Sequence, residues 1–129
     1  VIDGVADLSN GINDEDEATR VATMLLRLTK VYNCHISTVI HQNKNDNWAT
    51  GHLGSAVTKK AEIIISVVKD SKDRANSEVN CDMSRGPEFD PFIFSINDDG
   101  LPEITASGKK INGKATYYED QFETPQAPF

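Results

Sequence analysis

Three polar side chains border apolar segments at positions where chemistry is common. Asp3 follows the apolar pair Val1-Ile2, and a carboxylate at the carboxyl end of a buried strand suits Mg²⁺, held directly or through water. His41 ends the apolar segment 36–40 and is a candidate phosphate contact. Arg85 precedes Gly-Pro, where a projecting guanidinium can bind a phosphate held by an adjacent subunit. The ordinary alternatives are a loop cap, a hydrogen-bonded buried histidine and a surface ion pair, respectively.

The polar, Asn-rich loop after His41 is a candidate surface for single-stranded nucleic acid. It holds the one tryptophan of the chain, and such surfaces combine aromatic rings that stack on bases with cations that contact phosphates. Lys59 and Lys60, a little further on, could extend it, although a merely solvated loop is the default interpretation. The candidate nucleic-acid contacts are Gln42, Asn43, Lys44, Trp48 and His52.

The charge is unevenly distributed along the chain. Twenty acidic against thirteen basic residues give a net charge of −7, which argues against a generally basic protein that coats nucleic acid. Residues 21–60, however, contain five basic residues and one acidic residue, whereas residues 1–20 contain one basic and six acidic residues. A contact with a polyanion is therefore expected within residues 21–60.

Length and composition bound the class of protein. The 129 residues suffice for a domain with a real core, and no apolar run approaches the roughly 20 residues of a membrane helix. The first residues show no signal-peptide pattern. Cys34 and Cys81 cannot form a disulfide framework and fit a reducing compartment. We therefore expect a cytoplasmic protein without a membrane partner.

Hydrophobic periodicity predicts an α/β fold. Strand, helix, strand, helix and strand come first, and an antiparallel meander follows, so we expect a mixed sheet of parallel strands with helices and a C-terminal meander. Residues 1–104 form the predicted domain and residues 105–129 a peripheral tail. Residues 63–68 are apolar at every position but one, as in a strand covered on both faces. The predicted helices span 13–33, with Asn13 as N-cap, and 55–60; the predicted strands are 1–3, 36–40, 63–68, 78–84, 92–96 and 101–104.

The order of these motifs resembles that of RecA-like ATPases over residues 1–104. Val1-Ile2-Asp3-Gly4 resembles their second nucleotide motif, and residues 38–44 resemble the strand and sensor histidine of the hexameric, RepA-like replicative helicases. Residues 51–56, leading into residues 63–68, resemble the fourth motif of that branch. Ser84-Arg85-Gly86-Pro87 is similar to the position of the arginine finger. The nearest likeness is to RepA-like ATPases of plasmids and mobilizable transposons.

The resemblance implies a partial RecA-like sheet and a role for each motif residue. Asp3 would hold the Mg²⁺ of Mg-ATP through water. His41 would sense the γ-phosphate and relay its loss to the loop that faces DNA, with Lys44 as a DNA or phosphate contact. Arg85 would complete the site of the adjacent subunit in a homo-oligomeric ring, which the resemblance implies to be hexameric. Met83 departs from the pattern, because relatives often place a second cation there.

The phosphate-binding loop of that family, G-x-x-x-x-G-K-[ST], does not occur in this sequence. The resemblance therefore implies the C-terminal part of a longer, DNA-dependent ATPase; this chain alone would hydrolyse little ATP and bind no cofactor. Loss of the phosphate-loop strand would expose two apolar strand edges, which direct pairing, a partner chain or a swapped dimer could close. Two alternatives are a non-catalytic interaction domain and a Mg²⁺-dependent phosphotransfer enzyme that uses Asp3 and Asp7.

Overall fold

The computed structural model describes residues 1–11, 13–43, 49–111 and 114–118. The chain divides into two compact units, an N-terminal unit of Val1–Ala61 and a C-terminal unit of Glu62–Phe129. None of the helices in the described part of the chain is both long enough and apolar enough to cross a membrane.

In the described part of the N-terminal unit, two α-helices and a short 3-10 helix pack around one apolar cluster. The 3-10 helix is Val5–Leu8, α1 is Glu15–Tyr32 and α2 is Gly51–Lys60. Helix α2 thus begins four residues before the predicted start. The buried members of the cluster come from all three helices, so this cluster fixes their arrangement. They are Val5, Ala18, Val21, Leu25 and Leu53.

Helix α1 has clear signals at both ends. The Asp14 carboxylate accepts a hydrogen bond from the Glu17 backbone N–H at 2.9 Å, which satisfies one unpaired donor of the first turn. The first turn is acidic and Lys30 lies in the last turn, so both ends complement the helix dipole. The helix ends at Asn33 in the left-handed conformation. The predicted N-cap, Asn13, was therefore one residue early.

The described residues of the C-terminal unit form a five-stranded antiparallel sheet. Its strands follow one another in space in the order in which they occur in the chain, as in a simple meander. They are β1 (Ile63–Lys69), β2 (Asn76–Ser84), β3 (Phe92–Ile96), β4 (Pro102–Ile111) and β5 (Lys114–Tyr118). The sheet's buried positions lie on its inner strands, where Val79 and Cys81 of β2 are covered by their neighbours.

The predicted fold class was wrong. Every strand pairing of the described sheet is antiparallel, and no RecA-like sheet of parallel strands is found among the described residues. Among the described residues, parallel pairing is confined to one isolated bridge, outside the sheet, between Ile2 and Thr38. The reason is local: Gly4, in the left-handed conformation (φ 78°), turns the chain into the 3-10 helix immediately after the bridge. The pairing therefore ends before a ladder can form.

Two further differences concern the C-terminal unit. Residues 63–68 form a strand as predicted, but β1 lies at the edge of the sheet with several apolar side chains exposed, so the prediction of two covered faces was wrong. Strand β4 also continues past residue 104 and β5 follows it, so residues 105–111 and 114–118 extend the sheet. Ser, Gly and Lys in this segment gave it little apolar periodicity, which hid the strands from sequence analysis.

Tyr117 of β5 lies across Gly108 of β4, its paired residue. A Cβ on Gly108 would be 2.8 Å from two atoms of the Tyr117 ring, so the glycine makes room for the ring. The Tyr117 hydroxyl is buried, with the Glu78 carboxylate nearby, and no hydrogen bond of ordinary length reaches it among the described residues. Burial, and secondarily the nearby Glu78 carboxylate, raises the pKa of the Tyr117 hydroxyl well above its ordinary value.

This burial predicts how Tyr117→Phe changes stability with pH. Near neutral pH, the variant should have an equal or higher free energy of unfolding, because it removes a buried hydroxyl that makes no hydrogen bond of ordinary length within the described residues. Below the unfolded-state pKa of about 10, both states of the wild type keep the phenolic proton. Above it, the unfolded state releases this proton first, so the wild type should lose stability more steeply than the variant. Chemical denaturation across this pH range measures the difference.

The matched control is Tyr32→Phe, since Tyr32 is exposed at the end of α1. That substitution should leave the pH dependence of unfolding unchanged. Equal slopes for wild type and Tyr117→Phe above a pH of about 10 would contradict the buried position of the hydroxyl.

Candidate functional site

Backbone pairing places Asp3 and His41 beyond the same end of two adjacent segments. The Ile2 N–H donates to the Ser37 carbonyl at 2.8 Å, and the Val39 N–H donates to the Ile2 carbonyl at 3.0 Å. Because the two segments run in parallel, the residues that follow them lie beyond the bridge in the same direction. Both candidate side chains are exposed to solvent. The N-terminal unit therefore presents a carboxylate and an imidazole at one end of this pairing.

Gly4 shapes the turn after Asp3. Its φ of 78° is strained for any residue with a side chain, and a Cβ there would be 3.0 Å from the Asp7 carboxylate. Asp7 therefore lies against the turn that follows Asp3, and it is exposed. The Val5 N–H then donates to the Val39 carbonyl at 3.0 Å, which fixes the exit from the turn.

The Asp3 side chain suits an indirect contact with Mg²⁺. Among the described residues, no three side chains of His, Cys, Asp or Glu form a group that could hold a metal ion. Mg²⁺ usually keeps several waters and takes one or two carboxylates together with substrate phosphates. One exposed carboxylate beside a turn fits this mode and does not fit a closed metal cage.

The carbonyl group of His41 closes the base of the predicted DNA-facing loop. It accepts hydrogen bonds from the Thr50 backbone N–H at 3.0 Å and from the Thr50 hydroxyl at 2.8 Å. Gln42 and Ala49, the next residues inside the loop, form an antiparallel bridge. Gln42 and its neighbour Asn43 thus lie in the first part of the loop. Lys44 and Trp48 lie outside the described residues.

A groove of about 140 Å³ runs between α1 and α2. Two lysines, Lys59 and Lys60, and the imidazole of His52 line it, and hydroxyl groups come from Thr19 and Ser55. The remaining lining residues are Glu15, Ala18, Ala22 and Ala56. The groove can therefore offer cations and hydroxyl donors to an anion, and the Glu15 carboxylate also lines it.

Sequence analysis identified the cations of this groove but missed the hydroxyl groups. The sequence signal that could have revealed the groove is the spacing of its lining residues. Residues 52, 55, 56 and 59 recur at helical intervals on α2, and residues 15, 18, 19 and 22 do so on α1. Small side chains also line this groove, at residues 18, 22 and 56. Together they allow the two helices to approach closely and bring the polar groups to one groove.

Arg85 belongs to the C-terminal unit and lies just after β2. Its backbone N–H donates to the Glu62 carbonyl at 2.9 Å, and its Nε is 3.8 Å from Glu62 Oε2. Both side chains are exposed. The structure thus contains the surface ion pair that was the ordinary alternative for Arg85, and exposed pairs of this kind are weak.

Comparison of the chain with protein-family models, with curated proteins and with solved structures finds no match. The function must therefore be inferred from the residues and their geometry.

Gly54 of α2 lets the helix approach the base of the loop, which predicts the effect of Gly54→Ala. A Cβ at this position would be 2.6 Å from the backbone carbon and oxygen of Ala49. Alanine normally stabilises a helix relative to glycine by about 1 kcal/mol. Here it should instead lower the free energy of unfolding by about 1–3 kcal/mol, because backbone must move to relieve the overlap.

Urea denaturation followed by circular dichroism measures this change. Gly11→Ala is the matched control in the same unit, since the nearest atom to its Cβ would be 3.9 Å away and the stability should change little. A Gly54→Ala variant more stable than wild type would show that α2 does not contact Ala49 closely.

Proposed function

We propose that this chain is part of a DNA-dependent ATPase of the RepA-like helicase kind, acting in the cytoplasm for a plasmid or another mobile element. In this proposal the N-terminal unit handles single-stranded DNA next to a bound Mg-ATP, whose phosphate-binding loop lies in another part of the full-length protein. The chain alone is then expected to bind DNA but to hydrolyse little or no ATP.

The observation that carries the proposal is the double hydrogen bond at the His41 carbonyl. The same residue presents its imidazole at the end of the pairing where Asp3 lies, and it holds Thr50 at the base of the loop. A displacement of His41 would therefore move the base of the loop with it. This connection is what coupling between a γ-phosphate and a DNA-facing loop requires, because the two events must change one shared structural element.

The groove between α1 and α2 supports a contact with the DNA backbone. Phosphate groups bind lysine and histidine cations together with hydroxyl donors, and all of these line the groove. The groove follows the loop directly in the chain, since α2 begins at Gly51. A strand of DNA bound to the loop would therefore lie near the lysines and hydroxyl groups that can contact its phosphates. Asn43, Gln42 and His52 would supply further polar contacts.

Mg²⁺ and the adjacent subunit complete the proposal. When bound, Mg²⁺ would neutralise charge on the ATP phosphates, and Asp3 would orient one of its waters. Arg85 would leave its weak pair with Glu62 to contact a phosphate held by the neighbouring subunit of a ring.

A second candidate function is that of a non-catalytic interaction domain. The observation in its favour is the set of exposed apolar side chains in the sheet unit, among them Ile96, Leu101 and Ile104 around the turn between β3 and β4. This candidate predicts no affinity for DNA, which separates it from the first.

The test is binding of a fluorescently labelled single-stranded oligonucleotide to the 129-residue chain, measured by anisotropy at several salt concentrations. We expect binding that weakens with salt and quenches the emission of Trp48, the single tryptophan. Replacing Lys59 and Lys60 together with Gln should weaken binding several-fold. It should also reduce the slope of log affinity against log salt by about 0.7 for each phosphate that the variant no longer neutralises.

The matched control is Lys30→Gln, which removes an exposed cation from the same unit outside the groove. It should leave the slope nearly unchanged. Absence of binding at low salt would contradict the proposal and favour the interaction domain. Equal weakening of binding by the groove variant and the control would show that the groove is not a specific contact.

A further inference from the structure

Strand β1 has the apolar composition that is typical of an inner strand, but it lies at the edge of the described sheet. Ile65 is 49% exposed, Val67 60% and Val68 48%. On the neighbouring strand β2, by contrast, Val79 is 6% exposed and Cys81 0%. Within the described residues β1 pairs with β2 alone, so its other edge presents unpaired backbone groups.

The exposed side chains lie on both faces of β1. Ile65 and Val67 lie opposite Cys81 and Val79 on one face of the sheet, and Val68 points to the other face. A layer packed over one face would cover only one of these sets. A strand added at the edge would flank both sets, just as β1 itself flanks the side chains of β2.

The sequence of β1 is complementary to itself in an antiparallel arrangement. When two copies pair about Ser66, Ile65 of each lies opposite Val67 of the other, and Ile64 lies opposite Val68. Moving the centre to Ile65 would set Val68 opposite Glu62, and moving it to Val67 would set Ile65 opposite Lys69. A shift of one residue would reverse the faces. Pairing about Ser66 therefore matches each apolar residue of the segment 64–68 with another apolar residue.

We propose that two copies of this chain pair through β1, antiparallel and centred on Ser66, to form one continuous sheet of ten strands. Such an interface uses the same surface of both copies and closes after two. It also pairs the backbone groups at the free edge. The occupant of the edge is thus a second copy, and this pairing does not depend on the proposed binding of DNA.

The size of the contact sets the expected affinity. The exposed side chains and the strand between them offer on the order of a few hundred Å² per copy, less than the roughly 800 Å² per partner of a standard interface. We therefore expect dissociation in the micromolar range, as is usual for small interfaces.

The test is the molar mass of the 129-residue chain in solution, by analytical ultracentrifugation over a range of concentrations, for wild type, Val67→Lys and Ile65→Glu. Wild type should dimerise. Each variant should dissociate at least about tenfold more readily, because it places a charge against an apolar residue. A mixture of the two variants should regain dimers, because Lys at 67 of one chain meets Glu at 65 of the other.

A cross-link gives an independent measurement if a variant does not fold, which far-UV circular dichroism would reveal. In a chain carrying Cys34→Ser, which removes the exposed native thiol, Ser66→Cys should form a disulfide-linked dimer on mild oxidation. Ser71→Cys, in the exposed turn after β1, is the matched control and should stay largely unlinked.

The proposal is contradicted by a wild-type chain that stays monomeric up to millimolar concentration. It is equally contradicted by a dimer that neither variant weakens, or by cross-linking as efficient at residue 71 as at residue 66. Weakening by each variant with recovery in the mixture, or selective cross-linking at residue 66, supports it.

Discussion

The backbone pairing between Ile2 and the segment 37–39 is the constraint on which the N-terminal unit depends. Two hydrogen bonds through Ile2 and one from Val5 join the start of the chain to the segment that follows α1. Helix α1 connects the two paired segments in the chain. Its apolar side packs on Val5 and on Leu53 of α2. Because the pairing is parallel, it also decides that Asp3 and His41 lie at the same end. Without it, Asp3 would have no fixed position relative to His41, which is itself held at Thr50 by two hydrogen bonds.

The two units differ in how their extended segments are covered. In the N-terminal unit, Gly4 stops the pairing after one bridge, and helices cover the residues around it. In the C-terminal unit, four successive antiparallel pairings cover the inner strands, while β1 keeps an edge with apolar residues on both faces. An edge of this composition is a site for pairing or aggregation unless another strand meets it. The proposed dimer follows from this unsatisfied edge.

Sequence patterns predicted the local elements better than their connections. Helix α1 could be predicted because its acidic first turn and apolar spacing agree, although its N-cap is Asp14 and not Asn13. Strand β3 could be predicted from apolar residues bounded by Pro91 and Asn97. The extent of parallel pairing could not be judged in this way, because one left-handed glycine ended it. For the candidate site, Asp3, His41 and His52 were predicted from their positions in the sequence, and the structure places Asp3 and His41 beyond the same end of the pairing. The role of Thr50 was not predicted, since a hydroxyl that bonds to a carbonyl nine residues away leaves no periodic signal.

The proposed function depends above all on His41, which would connect the nucleotide to the DNA-binding loop. The decisive experiment is ATP hydrolysis by the full-length protein, with and without single-stranded DNA, for wild type and His41→Ala. We expect DNA to stimulate the wild type, whereas the variant should keep its basal hydrolysis and its affinity for DNA but lose the stimulation. A full-length protein that does not hydrolyse ATP, or a variant that DNA stimulates as strongly as wild type, would contradict this role of His41.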